Sequence, residues 1–229
     1  MDSELLEIVT NPYETVKKIA KGESKYLLFS GLLSGEQKPD VDFYDYVSFK
    51  ELRTQDHAID LLVGTGVDWN DPDLTIRIKF MWKGHIQGGI NVGHPGSNTE
   101  YSLGVSNRFF THEGKMYFDL NGDGHRISSN YTLVNDTVYD VTIGNFYIYD
   151  NLAGEYVKQG SHQDFTPVQD VQILFDMAHW WIGGIKIVDS QENVLFDGIA
   201  AGKDGLYGLY DFVGGQLHYT EHEAEGHNL

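Results

Sequence analysis

An all-β sandwich preceded by a short, partly helical N-terminal segment is the fold class this sequence predicts. Three observations lead there. Apolar and polar residues alternate with period two in many short runs after residue 39. Gly-rich turn sequences separate those runs, and no long helical period interrupts them. A chain of 229 residues can bury about 70% of the surface its unfolded form exposes, so a core of this kind needs no staple. None is on offer, because the sequence has no cysteine, which also excludes thiolate metal sites and Cys nucleophiles.

The first element is the N-terminal segment, residues 1–38. Asn11-Pro12-Tyr13-Glu14 carries an N-cap residue, a proline at the first helical position and a glutamate just beyond, and Val16, Ile19 and Ala20 follow on one face. Lys17, Lys18 and Lys21 fall where a helix dipole favours cations, and Gly22 is a natural stop. Leu27, Leu28, Phe29, Leu32 and Leu33 then form an apolar block that so short a piece cannot bury alone. The block packs on the main domain or docks onto a larger assembly or another copy. Residues 1–38 carry 5 Lys and 6 acidic residues and no Trp, whereas residues 39–229 carry 11 basic and 28 acidic residues and all 4 Trp. That asymmetry suggests two jobs.

The strands come next. Leu74–Phe80 alternates strictly. Lys115–Leu120 and His125–Ser128 flank Asn121-Gly122-Asp123-Gly124, a hairpin signal because those residues tolerate positive φ. Val138–Ile143, Asn145–Asp150, Val171–Phe175, Trp180–Ile187 and Val194–Asp197 continue the series. Gly208–Asp211 and Gln216–Tyr219 close it through Val213-Gly214-Gly215, and residues 221–229 read as a polar tail.

Charge narrows the partners. With 34 acidic against 16 basic side chains the formal charge is −18, which argues against nucleic acid, whose phosphates need clustered Lys and Arg. An apolar fraction of 41%, with 13% aromatic, is too high for a disordered acidic protein, so the chain reads as globular and soluble. The acidic start Met1-Asp2-Ser3-Glu4 is unlike a secretory signal, and Tyr26–Leu33 is far short of the ~20 residues that cross a bilayer, so no membrane partner is expected. The Asn-x-Thr triplets at Asn130 and Asn135 then read as incidental.

The order of several stretches carries a family likeness. Phe43-Tyr44-Asp45-Tyr46-Val47 leads towards Asp60-Leu61-Leu62-Val63-Gly64-Thr65-Gly66, and Met116-Tyr117-Phe118-Asp119 is followed by Arg126-Ile127-Ser128. Then come Gly144–Asp150, Ile185-Lys186-Ile187, Asp197–Ala201, Gly205-Leu206-Tyr207-Gly208-Leu209-Tyr210-Asp211 and Leu217-His218-Tyr219. With these, residues 42–220 resemble the concanavalin A-like lectin/glucanase superfamily, in the laminin-G-like form found in virion proteins of tailed bacteriophages. The resemblance implies a two-sheet jelly roll at residues 39–220 and localisation in the virion, on a head fibre, tail fibre or as decoration. It implies binding of carbohydrate on the bacterial surface or its surroundings. Residues 1–38, outside the resemblance, would attach to other capsid or tail proteins, with homo-oligomeric or multicopy display. A purely structural cement protein and a polysaccharide-degrading hydrolase are the alternatives on the same fold.

Enzymatic chemistry finds little support. Glucanases of that superfamily use Glu-x-Asp-x-Glu on one strand, with retaining carboxylates ~5 Å apart. No core strand here has that motif; Asp40-x-Asp42 and Asp71-x-Asp73 lie in loop-like segments, and Glu221-His222-Glu223-Ala224-Glu225 lies in the tail. Asp119-x-Asn121-x-Asp123-Gly124 opens like a calcium loop but has Asn130 where a bidentate Glu is needed, so a hairpin turn with at most a weak Ca²⁺ contact is expected. His218-Tyr219-Thr220-Glu221-His222 matches a zinc-protease string, which works only on a helix and needs a further ligand; here it starts in a strand, and with His227 it would hold metal only adventitiously. No Gly-x-Ser-x-Gly elbow exists, and Gly202-Lys203-Asp204-Gly205 lacks the rest of a phosphate loop. No catalytic residue, metal site or cofactor is expected.

Aromatics are the remaining candidates, since sugar C–H faces pack on rings while carboxylates and amides meet hydroxyls. Trp69 with Asn70 and Asp71, Trp82 with His85 and Gln87 nearby, and Trp180 beside His179 and Trp181 are the carbohydrate-binding candidates. Each Trp has a second reading as sandwich-core packing. Tyr207, Tyr210 and Asp211 read as parts of the fold.

Overall fold

Along β3 (Thr75–Trp82), Ile76, Ile78, Phe80 and Trp82 are buried while Thr75, Arg77 and Lys79 are half-buried, so the period of two becomes one inner and one outer face. The computed structural model describes residues 39–49, 66–68, 71, 73–84, 87–93, 108–112, 114–120, 125–161, 172–176, 180–219 and 223–229. Before β3 lie β1 (Asp42–Phe43) and β2 (Tyr46–Phe49), and after it β4 (Gln87–Gly93), β5 (Arg108–His112), β6 (Lys115–Leu120) and β7 (His125–Ser128). The series continues with β8 (Thr137–Gly144), β9 (Tyr147–Asp150), β10 (Glu155–Gln159), β11 (Gln172–Asp176) and β12 (Trp180–Val188). It ends with β13 (Val194–Lys203), β14 (Leu206–Asp211), β15 (Gln216–Tyr219) and β16 (Ala224–His227). The described residues contain no helix. The expected N-terminal helix lies outside them.

Among the described residues the strands form two antiparallel sheets. The larger has eleven strands in the order β10-β9-β8-β3-β12-β13-β14-β15, with β1 on β13 and β2 between β12 and β16; the smaller has five, β11-β4-β5-β6-β7. The connections make it a jelly roll. Strands β3 and β4 run antiparallel to β12 and β11, with Trp82 opposite Trp180 in one sheet and Gly89 opposite Asp176 in the other. A single ribbon thus folds over from sheet to sheet, which is how a double-sheet roll limits exposed edges. Met116 of β6 and Ile127 of β7 share one core cluster with Phe80, Trp82, Phe146, Val157 and Ile185 of the larger sheet and its turns. The two sheets are therefore packed on a common interior, and each large apolar side chain within it contributes ~1.5–3 kcal/mol of transfer free energy.

Turns follow their residue chemistry. Asp204 and Gly205 both have positive φ (53° and 83°) and join β13 to β14 as a two-residue turn matched to strand twist, so the rejected phosphate-loop segment is a hairpin. Leu120 pairs with His125, so the calcium-like string lies across a hairpin as expected, although residues 121–124 are outside the described ones. Between β8 and β9 the turn is Asn145-Phe146 rather than strand, with Phe146 at φ 62° and its ring buried beside Ile127 and Gly160. Core burial of that ring offsets a left-handed backbone that costs about 1 kcal/mol or more.

The boundaries that differ most from expectation are those of β13 and of the tail. Strand β13 runs to Lys203, well beyond Asp197; its small residues read as loop by composition, but Gly198 lies against the Phe196 ring and Gly202 against the Tyr207 ring, where a larger side chain would collide. The polar tail is also partly strand. In β16, Ala224–His227 pairs with Phe49–Tyr46 of β2, the Asp45 amide donates to the His227 carbonyl (2.9 Å), and the Leu229 amide donates to Asp45 Oδ2 (2.9 Å). Backbone bonding and the close approach of Gly226 to the Tyr44 ring hold this strand, and neither leaves a hydrophobic signature.

Candidate functional site

Of the proposed sugar-binding residues, the structure describes Asp71 and Trp82 in full. Trp69, Asn70 and His85 lie outside the described residues, as does the Trp180 side chain, although its backbone opens β12 opposite Trp82. Asp71 serves its own loop: Oδ1 accepts from the Asp73 amide (2.9 Å) and Oδ2 from the Ser190 amide (3.0 Å), tying two turns together. Trp82 is only 7% exposed and belongs to the core cluster, its buried indole N–H without a hydrogen-bond partner among the described residues. Its position corrects the sequence expectation. Trp82 is in phase with Ile76, Ile78 and Phe80, and β3 runs far enough to carry it onto the inner face.

The neighbouring Trp181 is on the outer face but occupied. The His227 ring stacks on it at 3.8 Å between centroids and 2° between planes, and Lys83 Nζ lies 4.1 Å from the indole centroid. Ser48 Oγ is 2.7 Å from His227 Nε2, and Lys83 pairs with Asp136. This cluster fastens β16 to β2 and β12. His218, the start of the zinc-like string, is in strand β15 and buried against Phe196 (5.4 Å, edge-on) with Gln216 Nε2 3.2 Å away. Glu221 and His222 lie outside the described residues, and no group of three metal-ligating side chains occurs among those described.

Burial holds the imidazoles of both His218 and His227 below their ordinary value, against the opposing pull of Asp211 on the first and Glu225 on the second. Lys83 adds to the effect on His227. The unfolded chain therefore binds these protons more readily, and the neutral rings stabilise the fold above the unfolded value near 6.5. As pH falls below that value towards the lowered folded values, the contribution is lost. Between about pH 7.5 and about pH 5 the thermal midpoint of the unmodified chain is expected to fall relative to that of a variant with both His218→Gln and His227→Gln, which has neither titrating ring. An identical pH dependence for the two proteins contradicts this placement of the rings.

The outward side of the larger sheet brings together a different set. Tyr147 faces Gly144, Tyr149 faces Thr142, and Tyr156 on edge strand β10 faces Tyr149. Tyr156 is 53% exposed and meets Tyr147 and Tyr149 edge-on at 5.9 and 5.1 Å, so three rings form one aromatic edge. Polar groups adjoin it. Thr142 Oγ1 donates to Asn151 Oδ1 (3.0 Å), Asn151 Nδ2 donates to Asp140 Oδ1 (2.9 Å), and Arg77 grips Asp140 through Nε (2.8 Å) and Nη2 (2.6 Å). The bidentate pair is half-shielded and fixes the amide beside the rings. Next along is Lys186 with Asp197 (3.2 Å), whose carboxyl is raised by burial, with Lys186 opposing that rise.

Chemically, this surface offers rings, an amide, hydroxyls and matched charges. Among the described residues, its carboxylates are each engaged by neighbours. Asp140 is held by Arg77 and Asn151, Asp197 by Lys186, and Asp150 accepts from the Leu152 and Ala153 amides (2.8 and 3.0 Å) and from the Tyr131 hydroxyl (3.3 Å). Burial and the Asp150 carboxylate push the Tyr131 phenol above its usual range, which keeps it a donor. One signal in the sequence points to the edge: Tyr147-Ile148-Tyr149 alternates, placing both rings on one face.

No family model matches the sequence, and no curated protein matches it. Among solved structures the chain is similar to the galectin LEC-6 of Caenorhabditis elegans over 67% of this chain and 99% of that one, at 12% identity and a TM-score of 0.38. That likeness is too distant to argue from. The assignment as an all-β jelly roll rests on the register and sheet order above.

Proposed function

We propose that the chain is a carbohydrate-binding module without catalytic activity, and that its ligand lies on the outer sheet face at Tyr147, Tyr149 and Tyr156. The observation that carries this reading is the exposed aromatic edge with Asn151 and Thr142 held beside it. Rings of this kind stack on the C–H faces of sugars, and each supplies contact area at small entropic cost. The site replaces Trp82 as the aromatic contact. On the resemblance of residues 42–220, the setting we propose is a tailed-phage particle, with residues 1–38 as the attachment segment. Display in many copies strengthens weak sites by raising effective concentration. Absence of the chain from purified particles ends that part of the reading.

The test is binding of the full chain to an array of bacterial surface polysaccharides, repeated with Tyr156→Ala. Tyr156 is exposed, so its truncation is expected to leave the melting temperature within a few degrees. Glycan affinity is expected to fall about ten-fold or more, as for loss of an aromatic anchor worth at least 1.4 kcal/mol. Signals equal to the unmodified chain overturn the site. No signal for either protein leaves the structural-cement reading instead, and release of reducing ends restores the hydrolase.

A further inference from the structure

The aromatic edge is the end of a longer feature. Tyr156 is opposite Tyr149, Tyr149 opposite Thr142, Thr142 opposite Arg77, Arg77 opposite Lys186 and Lys186 opposite Asp197. One register row therefore crosses β10, β9, β8, β3, β12 and β13, and its five strand-to-strand steps cover about 24 Å. The far end is open to solvent as well, since the Arg77, Lys186 and Asp197 side chains keep 30%, 28% and 28% exposure. Rings come first, then a hydroxyl and an amide, then charged groups. Lys186 carries three N–H donors on one head.

Charge along the row is balanced. Asp140 answers Arg77 and Asp197 answers Lys186, so neither cation stands ready to neutralise a carboxylate, sulfate or phosphate on a ligand. The chain as a whole carries −18 and repels polyanions. Resting on the carbohydrate-binding reading, we infer that the ligand is a linear, uncharged glycan that lies across the strands along this row. Its first units stack on Tyr156 and Tyr149, and later units hydrogen-bond to Thr142 and Lys186. Strand spacing is close to the width of one pyranose ring, so successive strands address successive units.

The experiment titrates the full chain with laminari-, cello-, chito- and malto-oligosaccharides, from monosaccharide to hexasaccharide, against oligoalginate and oligohyaluronate of matching lengths. A neutral series is expected to bind tightest and to gain about ten-fold or more in affinity between the disaccharide and the hexasaccharide. Lys186→Gln, which keeps a hydrogen-bonding head for Asp197, is expected to weaken the hexasaccharide about three-fold and leave the disaccharide unchanged. Tyr156→Ala is expected to weaken both. A monosaccharide as tight as the hexasaccharide, a tightest ligand that is anionic, or a Lys186→Gln effect equal at all lengths overturns the inference while leaving glycan binding in place. Binding of none of these oligosaccharides, together with a blank polysaccharide array, overturns both.

Discussion

Phe80→Ala is expected to lower the unfolding free energy by about 3–5 kcal/mol, a large share of the ~5–15 kcal/mol that holds a domain together. Phe80 is fully buried at the centre of β3, between Tyr139 of β8 and Ile182 of β12 in register. Its ring stacks on Tyr139 at 5.6 Å and 29°, and Tyr139 stacks in turn on Tyr131 at 6.4 Å. The cavity opens where the two sheets share their interior. The surrounding strands are fixed by backbone bonds and cannot close in, so the cost includes the cavity as well as lost transfer energy. Urea unfolding measures it: a lower midpoint at unchanged slope is expected. A loss below about 1 kcal/mol contradicts the placement of Phe80 between the sheets.

Asp211→Ala is expected to cost about 2–4 kcal/mol, although the residue is charged and lies outside the aromatic edge. Asp211 is 3% exposed. Its Oδ1 accepts from the Asp197 and Val213 amides (3.0 Å each) and its Oδ2 from the Gly214 amide (2.8 Å), which ties the β14–β15 turn to β13. Alanine leaves three donors without their acceptor. Water takes over part of the loss at exposed Val213 and Gly214 and less of it at Asp197. Asp211→Asn keeps the Oδ1 acceptor and is expected to lose about half as much, so the ratio of the two variants separates lost hydrogen bonds from general damage. Equal losses for Ala and Asn contradict that assignment.

Strands with strict alternation were legible before any coordinates. Residues 75–80 of the expected 74–80, and all of 115–120, 125–128, 138–143 and 180–187, fall within β3, β6, β7, β8 and β12. What escaped had other reasons to be strand. In β4 the run Gln-Gly-Gly-Ile-Asn-Val-Gly is glycine-rich, and β10 carries a register shift between Tyr156 and Lys158 that breaks the period. Strand β16 is held by main-chain bonds and a histidine stacked on tryptophan. The candidate site was the least legible part. Its residues come from β3, β8, β9, β10 and the turn after β9, and only register makes Tyr156, Tyr149 and Thr142 neighbours. Trp82 drew notice by residue type, while its parity with Ile78 and Phe80 pointed inward.

Hydroxyl-radical footprinting of the full chain, with and without the tightest polysaccharide from the array, tests the central claim most directly. Protection concentrated at Tyr147, Tyr149 and Tyr156, with Tyr219 and Leu229 unchanged as exposed references, is the predicted result. Protection of other surfaces with those three rings still fully reactive would contradict it.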